Sequence, residues 1–191
     1  MKTRTLSLVL TLAFSTLVLA HNKDDDKKTV NAEKSKVTWK AYKVTGSHMG
    51  TVALQSGSLM FDGATLTGGE FTVNMTTINT TDLEGEYKDK LDGHLKSDDF
   101  FGIAKYPKAT LVFTDVKASG KNSYAVTGDL TIKGITKSIT FDMSIYGSKA
   151  TATLKVDRAE YNVRYGSGSF FDNLGDKVIY DEFDLVVDLE F

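Results

Sequence analysis

The chain of 191 residues has no cysteine, one proline, one tryptophan and three histidines. Without cysteine no disulfide can hold the fold, so its stability has to come from burial and strand pairing. His21, His48 and His94 show no metal-ligand spacing, whereas a catalytic zinc normally draws on three His, Cys or carboxylate ligands. No Gly-x-Ser-x-Gly, phosphate loop or dinucleotide fingerprint is present. The Gly/Ser-rich stretch at residues 166–169 lies between strand-like segments with no helix after it, which argues against a phosphate cradle. Asp98 and Asp99 are adjacent carboxylates, but neighbours on a helix point about 100° apart, so they suit a helix end better than acid–base work. Basic charge is not in excess either: 23 Lys and Arg stand against 25 Asp and Glu. With no basic stripe, nucleic acid is a poor partner. No catalytic residue, metal site or cofactor is expected, and the chain reads as a binding protein rather than an enzyme.

Residues 1–20 form a separate unit. Lys2 and Arg4 precede a run from Leu6 to Ala20 that is apolar apart from Ser and Thr, and Val18-Leu19-Ala20 offers compact residues for cleavage. This is the three-part layout of a secretory signal peptide. A transmembrane anchor needs about 20 apolar residues, more than the fifteen here. Cleavage after Ala20 takes away two of the 23 basic side chains and none of the 25 acidic ones, leaving a net charge of −4. His21 then stands where a lipoprotein has its lipidated cysteine, so a periplasmic or secreted protein without a lipid anchor is expected. Residues 21–29 begin HNKDDDKK and read as a charged flexible tether with nothing to bury. Their Asp run lacks the glycine and terminal glutamate of a calcium loop.

What the remainder has is alternation. The domain proper begins near Val30, and over almost all of Lys36 to Phe191 apolar and polar side chains alternate with period two, the mark of half-buried strands. Val37, Trp39 and Ala41 alternate with polar neighbours. Residues 52–61 read as one or two short strands around Gly57, with Asp62-Gly63 and Gly68-Gly69 as turns. Lys133-Gly134 and Gly147-Ser148 sit where hairpin turns are wanted. In the last strand Phe183, Leu185, Val187, Leu189 and Phe191 share one face, with Asp181 and Val186 breaking the pattern. One stretch departs from all this. Tyr87, Leu91 and Leu95 fall on one helical stripe over residues 84–96, and Glu84/Lys88, Glu86/Lys90 and Asp92/Lys96 place acid four residues before base. Eight or more antiparallel strands with one apolar face and no second helix layer bury that face by closing into a barrel or stacking as a sandwich. Periodicity does not separate the two.

The run His94-Leu95-Lys96-Ser97-Asp98-Asp99-Phe100-Phe101 with Tyr106-Pro107, the later GDLTIKGIT of residues 128–136, and Arg158 resemble the YceI family. These are small exported bacterial proteins with a lipocalin-like β-barrel that bind polyisoprenoids or similar amphiphilic lipids. The resemblance covers residues 30 to 191. It implies an all-β domain with one helix, a single antiparallel barrel enclosing an apolar cavity. It also implies a lipid ligand, a polyisoprenoid of quinone or isoprenyl diphosphate type.

The expected cavity wall comprises Trp39, Phe61, Phe71 and Met75 from the first strands and Leu95 and Phe100 from the helical stretch. Phe113, Leu130, Ile139, Phe141, Met143, Leu154, Phe183 and Leu185 complete it. Met and Phe suit an elongated, adaptable apolar ligand, though the same side chains equally well fill a small barrel. His48, His94, Arg158, Arg164 and Tyr165 are the candidates for a polar mouth. Arg158 stands where the family has a recurrent Arg; its planar fork suits an anionic head group or a structural pairing with Asp157, Asp172 or Asp176. Phe170-Phe171, in a glycine-rich loop, read as a lid over an apolar opening or a tip that touches a membrane surface. Transient membrane contact and a homodimer are both compatible with this reading. The rivals are a filled barrel serving protein–protein interaction and an enzyme acting on a lipid in the same tunnel.

Overall fold

A computed structural model describes residues 26–191; the expected leader and residues 21–25 of the tether lie outside them. Nine strands are formed among the described residues. They are β1 (Asp26–Thr29), β2 (Lys36–Lys43), β3 (Gly46–Asp62), β4 (Thr65–Thr80), β5 (Lys108–Gly120), β6 (Ser123–Ile132), β7 (Ile135–Tyr146), β8 (Lys149–Asp157) and β9 (Ile179–Glu190). From β2 onward each strand pairs antiparallel with the next. Strand β9 then pairs with β2, Leu185 opposite Trp39 and Val187 opposite Val37, so eight strands close a barrel. A closed ring has no unpaired edge and buries its apolar face without help from a second layer. Strand β8 shows why the sequence takes this form: Ala150, Ala152, Leu154 and Val156 are buried, while Lys149, Thr151, Thr153 and Lys155 are exposed. The β6–β7 hairpin turns on Lys133 (φ 52°) and Gly134 (φ 75°), two successive left-handed residues as the tightest hairpins require.

Three expectations are corrected. The tether does not extend to residue 29, because β1 pairs with β3, Asp26 opposite Phe61 and Thr29 opposite Ser58. Its four side chains are exposed, so backbone hydrogen bonds hold it, helped by Lys27–Glu70 (2.7 Å) and by Lys28 over the Phe61 ring (4.9 Å). Nor does Gly57 divide a strand, and Gly68-Gly69 is no turn; all three glycines lie inside the long strands β3 and β4. A Cβ on Gly57 would come within 2.5 Å of the Phe71 ring, and one on Gly69 within 2.8 Å of the Phe113 ring. These glycines make room for aromatic rings from other positions in the sheet.

The helix forms as α1 (Gly85–Lys96), joining β4 to β5. It packs on β4 through its later turns: Leu95 is buried and Leu91 half-buried, but Tyr87 is 75% exposed and no part of the stripe. Only one of the three expected acid–base pairs is seen, Glu86–Lys90 at 3.4 Å. Lys88 turns to Asp92 and to the Asn79 side chain instead, and Asp92 Oδ1 accepts the Thr80 amide at 2.7 Å. This polar clamp fixes the helix to the rim of β4.

Candidate functional site

Inside the barrel the side chains leave a cavity of about 120 Å³. Trp39, Phe71, Met75, Phe113, Leu130, Phe141, Met143, Leu154, Phe183 and Leu185 line it as the alternation predicts. Val37, Leu54 and Leu111, which share the parity of expected wall residues or of their neighbours on the inner face, also line it, as does Ile78, which lies out of step with Phe71 and Met75 on β4 and so is not marked by alternation. Phe101 also reaches the cavity, from the segment after α1. Although Trp39 and Thr110 take part in it, the wall exposes no nitrogen or oxygen to the space: its surface is hydrocarbon with the thioethers of Met75 and Met143. An apolar cavity of about 150 Å³ takes a benzene ring and stays dry, so the barrel leaves room for a ring-sized apolar group and its core is not completely filled.

Four expected wall residues lie elsewhere. Phe61 is buried away from the cavity, against Phe191 (ring centroids 5.8 Å). Ile139 shares a small side cleft with Tyr161. Leu95 is buried without reaching the cavity, and Phe100 packs edge-on against His94 (5.4 Å) and Phe101 (5.1 Å). The aromatic pair is thus divided, Phe101 facing the cavity and Phe100 the roof.

Arg158 anchors that roof and is not a mouth residue. It opens a 3-10 turn, Arg158–Tyr161, and is only 3% exposed. Its Nε donates to the Tyr180 carbonyl, its Nη1 to those of Val163 and Tyr165, and its Nη2 to that of Ile179, at 2.9–3.2 Å. Nη2 also lies 3.2 Å from Asp181 Oδ1, which explains the acid on the inward face of β9. With its fork engaged in this way, the guanidinium has nothing left for a head group. It ties the loop of residues 162–178 to β9. His94 packs its ring against Tyr165 (4.2 Å) under this loop, and its Nε2 is buried without a hydrogen-bond partner. His48 does not reach the cavity either; its Nδ1 lies 3.1 Å from Asp82 Oδ2.

Arg164 and Tyr165 belong to a second, outer cleft of about 740 Å³, with Lys133, Lys177, Phe171, Leu174, Asp98 and Asp99. Lys133 donates to the carbonyls of Asp98 (3.0 Å) and Asn162 (3.4 Å). Burial pushes its ammonium below the usual lysine value, against the pull of Asp98 and Asp99. Lys105 holds the Asp98 carboxyl below its ordinary range. Arg164 donates to the Asn162 side chain and lies 4.9 Å from the centre of the Phe170 ring. Phe170 and Phe171 are 39% and 50% exposed. Neither lines the apolar cavity, so they are not a lid directly over it; Phe171 rims the outer cleft. Residues 98–101 separate the two spaces, with carboxylates on one side and Phe101 on the other. Among the described residues no three His, Asp or Glu side chains converge on a metal-sized site.

Comparison with known proteins gives consistent results. The model of the YceI-like domain matches residues 29–191. A UPF0312 protein of Shewanella denitrificans is 37% identical over 91 residues, 48% of this chain and 46% of the relative. The chain spans less than half the length of the curated relatives it matches. Among solved structures, Burkholderia cenocepacia BcnA superposes with a TM-score of 0.67 at 25% identity, covering 84% of this chain and 98% of that one. A polyisoprenoid binding domain from Saccharophagus degradans, implicated in plant cell wall breakdown, has the same fold, with a TM-score of 0.60 at 19% identity over 85% of this chain and 97% of that one.

Proposed function

This chain belongs to the YceI-like domain family, and from that premise we propose that it binds a long-chain amphiphilic lipid of polyisoprenoid type in its barrel. The observation that carries this reading is a cavity with an apolar wall inside a closed barrel. A side chain-packed core has no use for such a space, which forfeits dispersion contacts. A lipid chain entering it gains about 25 cal/mol for each Å² of apolar surface withdrawn from water. The space as it stands takes only a ring-sized portion of a ligand, so a longer chain displaces lining side chains. Met75 and Met143 are suited to this, being unbranched and polarisable, and Phe101 stands on an irregular segment rather than a strand. The polyisoprenoid binding of the Saccharophagus degradans domain, which shares the fold, supports the choice of ligand class.

On this reading the protein acts as a carrier that binds its lipid non-covalently. It works in the periplasm or outside the cell, after loss of residues 1–20. Native mass spectrometry on protein recovered from an exporting host tests the reading. A retained mass in steps of the isoprene unit is expected. Bare protein that also fails to take up an added polyisoprenoid overturns it.

A further inference from the structure

The outer cleft gathers cations that the fold does not use up. Four non-glycine residues among those described have left-handed φ: Asn122, Lys133, Asn162 and Asn173. Asparagine tolerates that region, whereas a lysine there is uncommon and marks a position held for what its side chain does. Lys133 reaches from the β6–β7 turn to the roof, where the Asp98 and Asn162 carbonyls occupy two of its three donors. Arg164 converges on the same residue. Its Nε donates to the Asn162 side chain and its face lies over Phe170, while Nη1 and Nη2 make no hydrogen bond. Two like charges thus hang on the two oxygens of one neutral residue. Lys177 lines the same cleft, is exposed, and has no partner for its Nζ among the described residues. The acids of the cleft do not balance this set. Lys105 takes the Asp98 carboxylate at 2.6 Å, so only Asp99 opposes Lys133, Arg164 and Lys177, and three cations less one carboxylate leave +2. The chain as a whole carries −2, so this local excess is not a general property of its surface.

We propose that the outer cleft is an anion site that takes a phosphate monoester, a dianionic head on an apolar or aromatic body. The free edge of the Arg164 guanidinium presents two parallel donors that match phosphate oxygens, and Lys133 and Lys177 add point charges. A phosphate monoester carries close to two negative charges at neutral pH, which balances the local excess. The cleft of about 740 Å³ is far larger than a bare phosphate needs, and Tyr165, Phe171 and Leu174 give the organic part an apolar wall. Such an anion arrives either as a free small molecule or as the head of an amphiphile whose chain lies in the cavity beyond residues 98–101. Anion binding does not depend on the lipid-binding reading; only the second source does.

Calorimetry with phenyl phosphate and geranyl phosphate tests the site. Both are expected to bind the unmodified protein, and Arg164→Gln with Lys177→Gln to weaken each by about tenfold or more. Raising the salt from about 0.1 M to about 1 M should weaken phenyl phosphate as well, since both cations are solvent-exposed. Trp39, the only tryptophan of the chain, lines the cavity and reports the source. A change in its emission with geranyl phosphate but not with phenyl phosphate identifies the anion as a lipid head; no change with either identifies a free anion. Each of these results, together with the loss in the double variant, upholds the site. Equal affinities in the parent and the double variant overturn it, and so does failure of the unmodified protein to bind either phosphate, which decides the matter even if the variant folds poorly. Geraniol, which carries no anion, tests the lipid reading separately: a response of Trp39 to geraniol without binding of either phosphate removes the anion site and leaves lipid binding intact.

Discussion

The inner cavity and the outer cleft lie on opposite sides of residues 98–101 and are built on opposite principles. The cavity is small and lined by side chains whose facing is dictated by strand pairing. The cleft is six times larger, polar, and assembled from a hairpin turn, the segment after α1 and the loop of residues 162–178. Two arginines make the contrast concrete. Arg158 has its donors consumed by carbonyls, whereas Arg164, six residues on, has one hydrogen bond to Asn162 and a ring beneath it. Residue type does not distinguish structural from available charge; the count of acceptors around it does.

Mutations on the two sides should therefore behave differently. The largest effect is expected inside. Phe141→Asp puts an unpaired charge into the cavity wall and should cost more than about 4 kcal/mol, seen as an unfolded protein or one that retains no lipid. A stably folded variant with normal lipid retention would erase the contrast, since Phe141 would then not be wall. Next comes the anchor between the two regions. Arg158→Met orphans four carbonyls and leaves Asp181 without its cation, a loss of about 3–5 kcal/mol. Arg158→Lys should recover little of it, because an ammonium has three donors and no planar fork. Full thermal stability in the lysine variant would show that charge alone holds the roof.

The clamp of α1 tests the rim by pH. Burial works to raise the Asp92 carboxyl, but Lys88 and Thr80 together hold it below the ordinary aspartate value of 3.8. A carboxylate depressed in the folded state contributes stability above its unfolded value and loses it as pH falls through the folded one. Asp92→Asn should thus start about 1–2 kcal/mol less stable at pH 6 and lose less than the parent protein between pH 5 and pH 3. Parallel losses in urea titrations would move the acid sensitivity to other carboxylates. The smallest effect belongs to the cleft rim. Phe170→Ser with Phe171→Ser should change stability by no more than about 0.5 kcal/mol, with lipid off-rates measured in the same preparations. A melting temperature as low as that of Arg158→Met would mean that these rings serve the core.

Alternation made the cavity wall legible, because facing on a strand follows directly from parity. Trp39, Phe141, Leu154 and Phe183 could be placed this way. Parity carries no information about height along the barrel, which is why Phe61, buried, and Ile139, half-buried, both miss the cavity. The glycines misled for a different reason. A local rule reads Gly57 and Gly69 as breaks, whereas they answer to the rings of Phe71 and Phe113, which only pairing brings near. The charged segment that became β1 had no apolar signal at all, since its order comes from main-chain hydrogen bonds to β3. Arg158 was recognisable as noteworthy, yet its partners are carbonyls of a loop whose path no pattern encodes.

The pairing of β9 with β2 has a kinetic side. Every other seam of the ring joins neighbours in the sequence, but this one brings Val187 to Val37. Loop-closure entropy must be met before such a distant contact returns anything, so barrels of this kind fold slowly. Until β9 arrives, β2 keeps a free edge along which it can be drawn apart or can pair wrongly with another chain. The first seven strands of the ring can therefore exist only as an open, curling sheet. The chain stays threadable up to its final segment, and holding that edge unpaired is the hazard any chaperone of this protein has to manage.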